Sequence, residues 1–401
     1  MPIEFTASER SSIGVEWELA LVDRSRAALA QSAGPIVHTL EAESGTEYPR
    51  VIEEFLQNTV ELASAPARRV AQATEDLAEL VSRVGALTDA QQLDLVGCGT
   101  HPFSQWFDQR VTEHPRYRRF VDEVQWWGRQ ILVWGLHVHV GIEDREKAMP
   151  ILSGLLTYLP HLLALSASSP YWAGTDTGYA SNRALVFQQL PTSGLPYDLG
   201  SWPEYERCVE DLVRAGTIVD QTELRWDVRP SPRWGTVEMR ICDAPPTLEE
   251  VAALTALTQC LVEDLSRRLD AGEPVRSLQP WFVRDNKWRT ARHGLDAHVI
   301  VDRTGTTRVL ADDVRDTIAA LEPVARDLGC AAELASVLDL LEIGPSYLRQ
   351  RRVADANGGN LQSVVASVVR EFQEGPEGWP ANRRARRRNP ADADEGTPVA
   401  E

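Results

Sequence analysis

Three stretches of the chain alternate apolar residues with charged or imidazole side chains, which is the pattern of a β-strand that buries one face. They are residues 13–22, 135–141 and 235–242. In each stretch Val, Leu, Ile, Met or Trp lies on one face, and polar side chains lie on the other. These polar side chains are Glu16, Glu18, His137, His139, Glu238 and Arg240. We therefore predict one sheet with a packed side and a chemically active side.

Helical and strand signals fill much of the remaining chain. We predict a helix over 66–84 that ends at Gly85, a short strand over 93–96 and a hairpin over 222–242. Thr247 and Glu250 form a capping box that begins another helix. Further helices are predicted over 108–130, 148–167, 312–342 and 346–372, with a strand pair around Gly305 between them. Residues 23–49 are polar, and we expect them to be irregular.

Two internal segments have unusual compositions. Residues 148–175 contain no Asp, Glu, Lys or Arg, but Pro150, Pro160 and His161 interrupt the apolar run, so we expect a buried core helix and no membrane span. Residues 168–203 are rich in Gly, Ser, Thr and aromatic side chains. Such a long irregular stretch is where binding residues concentrate, so we expect it to contribute to a binding site.

The composition is that of an ordinary soluble globular protein, with 43% hydrophobic and 25% charged residues. The net charge of −18 argues against nucleic acid as the main partner. Five cysteines without a CxxC pair indicate neither a disulfide framework nor a zinc site. The N-terminal residues lack the pattern of a secretory signal, so we expect a cytoplasmic protein.

The polar strand faces suggest a metal site if they share one cleft. Glu16, Glu18, Glu61 and Glu238 would supply four carboxylates, and His137 would supply a neutral nitrogen. Crowded carboxylates raise one another's pKa, and divalent cations relieve this repulsion. Oxygen-rich sites suit Mg²⁺ or Mn²⁺, and Mg²⁺ usually acts together with phosphates. Basic residues that could meet such phosphates are Arg183, Arg240, Lys287, Arg289 and Arg292.

Each of these signals also has an ordinary structural explanation. A Glu-x-Glu pair is usually a solvated strand face, and Glu238 with Arg240 could be a simple ion pair. The basic residues of 281–296 could lie on a solvated helix. The chain contains neither a Walker A motif nor a GxGxxG fingerprint. Taken together, the residues favour a two-metal, phosphate-handling site.

Seven motifs resemble the glutamate–cysteine ligase type 2 family of ATP-dependent carboxylate–amine ligases. They occur in family order between Gly14 and about Ala297, and the combination is far more specific than any one of them. They read GVEWEL, VELASAP, GTHPF, GLHVHVGI, SSPYWAGTDTGYASNR, WDVRPSPRWGTVEMRICD and NKWRTARHGLDA.

The resemblance implies an α+β fold like the catalytic domains of glutamine synthetase and guanido kinases, with a curved antiparallel sheet forming a funnel flanked by helices. We expect one catalytic domain over residues 1–374 and a disordered charged tail over 375–401. We expect ATP and two or three Mg²⁺ or Mn²⁺ ions in the funnel, small amino acids or amines as substrates, and a possible homodimer.

The resemblance also assigns roles to residues. The implied metal ligands are Glu16, Glu18, Glu54, Glu61, His137 and Glu238. Glu53 is an alternative to Glu54, because the two residues are adjacent and no strand periodicity selects between them. Arg240 would stabilise the transferred phosphoryl group and act with Glu238 in catalysis. His139, Asn182 and Arg183 would contact substrate, and Lys287, Arg289 and Arg292 would contact ATP.

The implied reaction is an amide ligation through an acyl-phosphate, with weak activity on L-glutamate and L-cysteine. The main alternative is a metal-dependent amide hydrolase that uses the same carboxylate and histidine cleft without ATP. A second alternative is a non-catalytic sensor of metal or nucleotide. The sequence does not identify the amine substrate.

Overall fold

The computed structural model describes residues 2–44 and 50–379 of the 401-residue chain. The helices in these ranges are α1 (Ala33–Ser44), α2 (Val70–Ala90), α3 (Pro115–Val124), α4 (Trp126–Arg129), α5 (Arg145–Ser166), α6 (Arg183–Phe187), α7 (Trp202–Arg214), α8 (Leu248–Asp270), α9 (Pro280–His293), α10 (Leu310–Leu328), α11 (Ala331–Ile343), α12 (Ser346–Ala356) and α13 (Leu361–Glu374).

The strands in the same ranges are mostly short. They are β1 (Ile13–Asp23), β2 (Val51–Glu53), β3 (Thr59–Ala63), β4 (Leu93–Val96), β5 (Gly135–Gly141), β6 (Tyr171–Trp172), β7 (Thr175–Asp176), β8 (Ser193–Gly194), β9 (Arg225–Trp226), β10 (Val228–Ser231), β11 (Thr236–Asp243), β12 (His298–Ile300) and β13 (Thr307–Val309).

A seven-stranded antiparallel sheet forms the centre of the molecule. Its strand order is β10-β11-β5-β1-β3-β2, and β4 pairs with the C-terminal half of β1. All three alternating stretches become neighbouring strands of this sheet, as the sequence predicts. The pairing of β5 with β11 contains one β-bulge, because the register shifts by one residue between Met239 and Cys242.

The apolar face of the sheet packs against helices and forms the core. Trp17, Leu136 and Met239 are fully buried on this face, where α5 contacts β11 and α8 contacts β5. Helix α5 is apolar and long enough for a membrane span, but 72% of its most apolar stretch is buried inside the protein. It is the core helix that the sequence predicts.

Several predicted elements are confirmed with small changes of boundary. Strand β4 and the pair β12–β13 around Gly305 form as predicted. Thr247 caps α8, because its Oγ1 accepts a hydrogen bond from the amide of Glu250 at 3.2 Å. Residues 108–130 contain two short helices, α3 and α4, separated at Gln125 by a backbone φ of 52°.

Other predicted boundaries are wrong. Helix α2 continues through Gly85 to Ala90, because Val84 and Thr88 are buried and packing outweighs the roughly 1 kcal/mol that a helical glycine costs. The predicted irregular segment 23–49 contains α1, whose Ile36 and Leu40 are buried. The hairpin begins at β10, since β9 instead pairs with β8 in parallel.

The predicted tail begins at Gly375. Residues 375–379 are described, and the indole of Trp379 is buried. Residues 380–401 of the predicted tail lie outside the described part of the chain. The division into one domain and a tail stays a prediction.

Candidate active site

The registers of four neighbouring strands gather the polar side chains on one face of the sheet. Glu238 in β11 pairs with His139 in β5, and His137 in β5 pairs with Glu16 in β1. On the other edge of β1, Glu18 pairs with Glu61 in β3. Alternation along each strand puts these side chains on the face opposite the core.

This face lines a cavity of about 310 Å³. Carboxylates and His137 occupy the part formed by the sheet, while arginines and aromatic rings complete the wall. The main polar lining residues are Glu16, Glu18, Glu54, Glu61, His137, Arg116, Arg183, Arg225, Arg229 and Arg240, and the aromatic ones are Phe55, Tyr117, Phe120 and Phe187.

Two sets of three side chains have the geometry of metal-binding groups. Glu16, His137 and Glu238 form one set, and Glu18, Glu61 and His137 form the other. Within each set the potential ligand atoms all lie within 4.8 Å of one another. Carboxylates with one imidazole are the donors that Mg²⁺ or Mn²⁺ accepts, so the residues fit divalent cations of this type.

The carboxylates of Glu18, Glu54 and Glu61 are poorly compensated. Burial raises the pKa of Glu18 to about 7, and the charge of Glu54 adds to the shift. Burial also raises the pKa of Glu61 well above its usual range, with neighbouring Glu16 and Glu54 contributing. The pKa of Glu54 is raised by burial as well. Cations at this position would remove a repulsion that the protein alone leaves in place.

Glu16 and Glu238 have the opposite character. Burial opposes ionisation of Glu238, but the charges of Arg229 and Arg240 outweigh it and hold the pKa well below its usual range. Arg229 Nε donates to Glu238 Oε2 at 2.6 Å, and Arg240 donates to Oε1. Burial likewise opposes ionisation of Glu16, and hydrogen bonds with His137 and His139 still lower its pKa.

The two histidines of β5 occupy different environments. Burial and the charge of Arg240 lower the pKa of His137 to about 4, so its imidazole is neutral and suited to metal binding. His137 Nδ1 lies 3.2 Å from Glu16 Oε2, and Nε2 lies 3.9 Å from Glu18 Oε1. Burial would lower the pKa of His139, but Glu238 and Glu16 raise it. The substrate role of His139 stays a prediction.

The structure distinguishes Glu54 from its neighbour Glu53. Glu54 lines the cavity and its Oε2 accepts a hydrogen bond from the amide of Phe55 at 2.9 Å. The carboxylate of Glu53 instead lies against Gly34 of α1. Only Glu54 is therefore placed to join the carboxylate group, as the resemblance implies.

Three arginines that sequence reasoning missed, Arg116, Arg225 and Arg229, also line the cavity. The guanidinium of Arg225 lies 4.9 Å from the centre of the Phe120 ring. Burial, followed by the charge of Arg116, lowers the pKa of Arg225 to about 10. Among the described residues Arg225 makes no ion pair. The alternation of Arg225, Asp227 and Arg229 was the available signal, but it did not reveal which face meets the cavity.

Six of the predicted residues are not among the side chains that line this cavity. Glu238 and His139 lie beside it on the same face of the sheet, and the other four are Asn182, Lys287, Arg289 and Arg292. Asn182 precedes α6, and Arg292 donates to the carbonyl of Gly178. Lys287 is buried and donates to Asp227 Oδ2 at 2.7 Å, and Arg289 pairs with Asp285 on the same helix. Their roles in binding substrate and ATP stay predictions.

The sequence matches a family model over residues 12–367, and that model describes glutamate–cysteine ligase family 2. The chain belongs to this family. Membership classes it with the glutamate–cysteine ligase type of enzyme, which forms carbon–nitrogen bonds. The family predicted from the seven motifs is confirmed.

Relatives in this family cover nearly the whole chain. One from Leifsonia xyli subsp. xyli is 53% identical over 373 residues, which are 93% of this chain and 99% of the relative. One from Mycobacterium ulcerans is 50% identical over 370 residues, covering 92% of this chain and 93% of the relative. Both carry the name "Putative glutamate--cysteine ligase 2".

Solved structures share the fold at low sequence identity. The glutamate–cysteine ligase of Francisella tularensis in complex with AMP superposes with a TM-score of 0.67 at 14% identity, covering 96% of this chain and 93% of that one. A bifunctional glutathione synthetase from Pasteurella multocida gives 0.63 at 14% identity, covering 90% of this chain and 52% of its own. The predicted α+β fold class is confirmed.

Proposed function

We propose that this member of glutamate–cysteine ligase family 2 is an ATP-dependent carboxylate–amine ligase that forms a γ-glutamyl-type amide bond through an acyl-phosphate. The proposed activity on L-glutamate and L-cysteine is weak and yields γ-glutamylcysteine, ADP and phosphate. The observation that carries the proposal is the arrangement of the cavity, where poorly compensated carboxylates face a wall of arginines.

The carboxylates and His137 are proposed to hold Mg²⁺ or Mn²⁺. Glu16 and Glu238 would hold one ion, and Glu18 and Glu61 the other, with Glu54 beside the second pair. His137 would complete one of the two sets, because a neutral imidazole has one free lone pair. Bound divalent cations neutralise the phosphate oxygens of ATP during phosphoryl transfer.

The arginines are proposed to bind the anionic groups of both substrates. Arg240 lies next to Glu238 and would stabilise the charge on the transferred phosphoryl group. Arg183 and Arg225 would hold phosphate or carboxylate oxygens, because a guanidinium matches both geometries. His139 and Asn182 are proposed as substrate contacts, and Lys287, Arg289 and Arg292 as contacts of ATP when it is bound.

The reaction would proceed in two displacements. A carboxylate oxygen of glutamate attacks the γ-phosphorus of ATP, the bond to the bridging oxygen breaks, and ADP leaves. The amine nitrogen then attacks the acyl carbon, phosphate leaves with the electron pair of the broken C–O bond, and the nitrogen loses its proton. The rings of Phe55, Tyr117 and Phe120 would limit the access of water to the acyl-phosphate.

The test is a screen of amino acids and amines for ADP release with Mg²⁺-ATP, with products identified by mass spectrometry. We expect a slow, glutamate-dependent release of ADP and a product of the mass of γ-glutamylcysteine, with a faster rate if the screen contains the preferred amine. Hydrolysis of γ-glutamyl amides that is indifferent to ATP would instead support the metal-dependent hydrolase. Binding of metal or nucleotide without turnover of any tested pair would support a sensor.

Two further expectations accompany this proposal. We expect the enzyme in the cytoplasm, where ATP and amino acids are available, and we expect a homodimer. Fractionation of cells and analytical ultracentrifugation of the purified protein test them separately.

A further inference from the structure

The β-bulge in β11 lies directly beside the candidate active site. The register with β5 runs from Glu238–His139 to Met239–Val138, and resumes one residue later with Cys242–Leu136 and Asp243–Gly135. Because of this extra residue, Asp243 lies on the same side of the sheet as Glu238 and Arg240. In a regular strand, two residues three positions apart such as Arg240 and Asp243 would point to opposite faces.

The guanidinium of Arg183 caps the carbonyl groups of the bulge. Its Nη1 donates to the carbonyl oxygen of Ile241 at 3.2 Å and to that of Arg240 at 3.4 Å. The guanidinium of Arg183 also lies against Gly135. A Cβ at position 135 would collide with Arg183 Nη2 and would lie 3.1 Å from His137 Nε2. Arg183 is thus held between the bulge and the strand that carries His137, and it is 4% exposed.

The backbone of Arg183 is fixed through Asp243. The amide of Arg183 donates to Ser169 Oγ at 3.0 Å, and Ser169 Oγ donates to Asp243 Oδ2 at 2.6 Å. In parallel, the amide of Ala184 donates to Ser181 Oγ at 3.3 Å, and Ser181 Oγ donates to Asp243 Oδ1 at 2.8 Å. Both ends of Arg183 are therefore tied to β11, the strand that carries Glu238 and Arg240.

This arrangement requires an acceptor on both sides of residue 243. Each serine hydroxyl has one hydrogen. In this geometry the hydroxyl oxygen accepts a hydrogen bond from an amide of α6, and the hydroxyl donates its own hydrogen to a carboxylate oxygen. An Asn at position 243 would offer one oxygen and one NH₂ group, so one serine would have to turn its hydrogen away. Asp243 is fully buried, and its other oxygen contact is the amide of Ser168 at 3.0 Å.

We propose that Asp243 is a positioning residue that sets the location of the Arg183 guanidinium relative to Glu238 and Arg240, acting through Ser169 and Ser181. The kinetic consequence rests on the proposed function, because it assumes that Arg183 binds an anionic substrate group. The structural consequence does not depend on that assumption.

The kinetic test is a double-mutant cycle between residues 243 and 183. Asp243→Asn and Arg183→Lys are each expected to lower kcat/KM for ADP release by about 10–100-fold, and in the same parameter, KM or kcat. The kcat/KM of the double variant should be no lower than that of Arg183→Lys alone, because Asp243→Asn acts through Arg183. If the fold-decrease in kcat/KM of the double variant equals the product of the two single fold-decreases, the proposal is overturned. Ser169→Ala provides the same cycle if Asp243→Asn does not fold.

The matched control is Glu250→Gln, another fully buried carboxylate that hydrogen-bonds to a threonine of its own helix cap and lies outside the cavity lining. In the double variant, the fold-changes in kcat/KM caused by Glu250→Gln and by Arg183→Lys should multiply, because the two residues act independently. A non-additive result with Glu250→Gln as large as that with Asp243→Asn would mean general loss of structure, and would also overturn the proposal.

The structural test is a crystal structure of Asp243→Asn or Ser169→Ala. We expect the guanidinium of Arg183 to leave the carbonyl of Ile241 while Glu238 and Arg240 keep their positions. Retention of the 3.2 Å contact in both variants would overturn the proposal. If the unmodified protein releases no ADP with any substrate pair, the proposed function fails, and this crystallographic result alone decides the role of Asp243.

Discussion

Two clusters of buried charge in the described part of the chain differ in how they are compensated. In the first, which we call the Arg349 cluster, Arg349 Nη2 lies 2.8 Å from Glu250 Oε1 and 2.8 Å from Glu371 Oε2, and it joins α8, α12 and α13. In the second, the cavity, ligand atoms of Glu18, Glu61 and His137 lie within 4.8 Å of one another with Glu54 nearby, and among the described residues none of these three carboxylates forms an ion pair with an arginine.

Burial raises the pKa of Glu250 as it raises that of Glu18, so the direction of the shift does not separate the two clusters. The position of the cation does. Arg349 is itself buried between its carboxylates, whereas Arg229 and Arg240 bind Glu238 and Arg183 donates to carbonyl groups of the bulge. The carboxylates of the Arg349 cluster therefore belong to the framework, whereas Glu18, Glu54 and Glu61 leave room for a ligand.

The largest expected effect is the loss of catalysis on changing a proposed metal ligand. His137→Ala or Glu238→Gln should lower metal-dependent ADP release by about 10³-fold while the fold is retained. Steady-state ADP release and circular dichroism measure the two quantities. Glu250→Gln is the control, and its folded fraction should remain active. Turnover at the unmodified rate in either cavity variant would contradict the metal assignment.

Substitution of Arg349 should lower the stability of the protein without a direct effect on catalysis. Arg349→Met leaves the buried Glu250 and the partly buried Glu371 without this cation, so we expect a loss of about 3–5 kcal/mol in the free energy of unfolding. Urea denaturation measures it. Arg326→Met is the control, because Arg326 forms an exposed pair with Glu322 within α10, and breaking such a pair costs about 0.5 kcal/mol or less. Equal losses would show that the cluster contributes little.

Without a bound cation, the free energy of unfolding of the protein should fall as pH rises. Because the folded pKa of Glu18 is raised to about 7, the folded state binds the extra proton, and stability falls as pH increases from about 5 to about 8. The lowered pKa values of Glu16 and Glu238 act at lower pH, where stability is lost as these groups become protonated. Thermal unfolding in EDTA measures the trend.

Mg²⁺ or Mn²⁺ should reverse this loss. At about 100 times its Kd, a cation adds about 2.7 kcal/mol. At a fixed cation concentration the gain should be larger at about pH 8 than at about pH 5, because protonation of the carboxylates weakens binding. Glu61→Gln should abolish most of the gain and should itself raise the stability of the metal-free protein, since it removes a repelled carboxylate. A destabilised metal-free Glu61→Gln variant would contradict the picture of an uncompensated cluster.

The smallest expected effect concerns the predicted ATP contacts on α9. Arg292→Ala should raise KM for ATP about tenfold, the equivalent of about 1.4 kcal/mol, and should change stability by about 0.5 kcal/mol or less. Arg284→Ala on the same helix is the control, and it should leave KM unchanged. If the two variants have the same KM, Arg292 does not contact the nucleotide.

The sequence contained enough information for the central sheet and for most of its polar face. Alternation with a period of two indicates which side chains share a face, and it correctly placed Glu16, Glu18, His137 and Glu238 together. The choice between Glu53 and Glu54 was beyond this reasoning, because Glu54 follows the end of β2 and only the turn of the backbone into β3 orients it.

Tertiary packing decided the remaining differences. Arg225 and Arg229 belong to a segment that alternates like one strand, yet β9 and β10 pair with different partners, so their surroundings depend on β8 and β11. Lys287 lies among basic residues that suggest an exposed surface, but a buried Asp227 from a distant part of the sequence pairs with it. Neither partner is visible from local patterns.

The β-bulge also limits how the length of the chain can change. Loss of one residue between Met239 and Cys242 would make the pairing of β11 with β5 regular and leave a single residue opposite His137, so the two bulge carbonyls that Arg183 caps would no longer both be present. Gain of one residue would enlarge the bulge or shift the later residues by one position, and such a shift would turn Asp243 towards the apolar core. Insertions and deletions that surface loops accept are therefore excluded from this segment, and its length is as much a part of the site as its side chains.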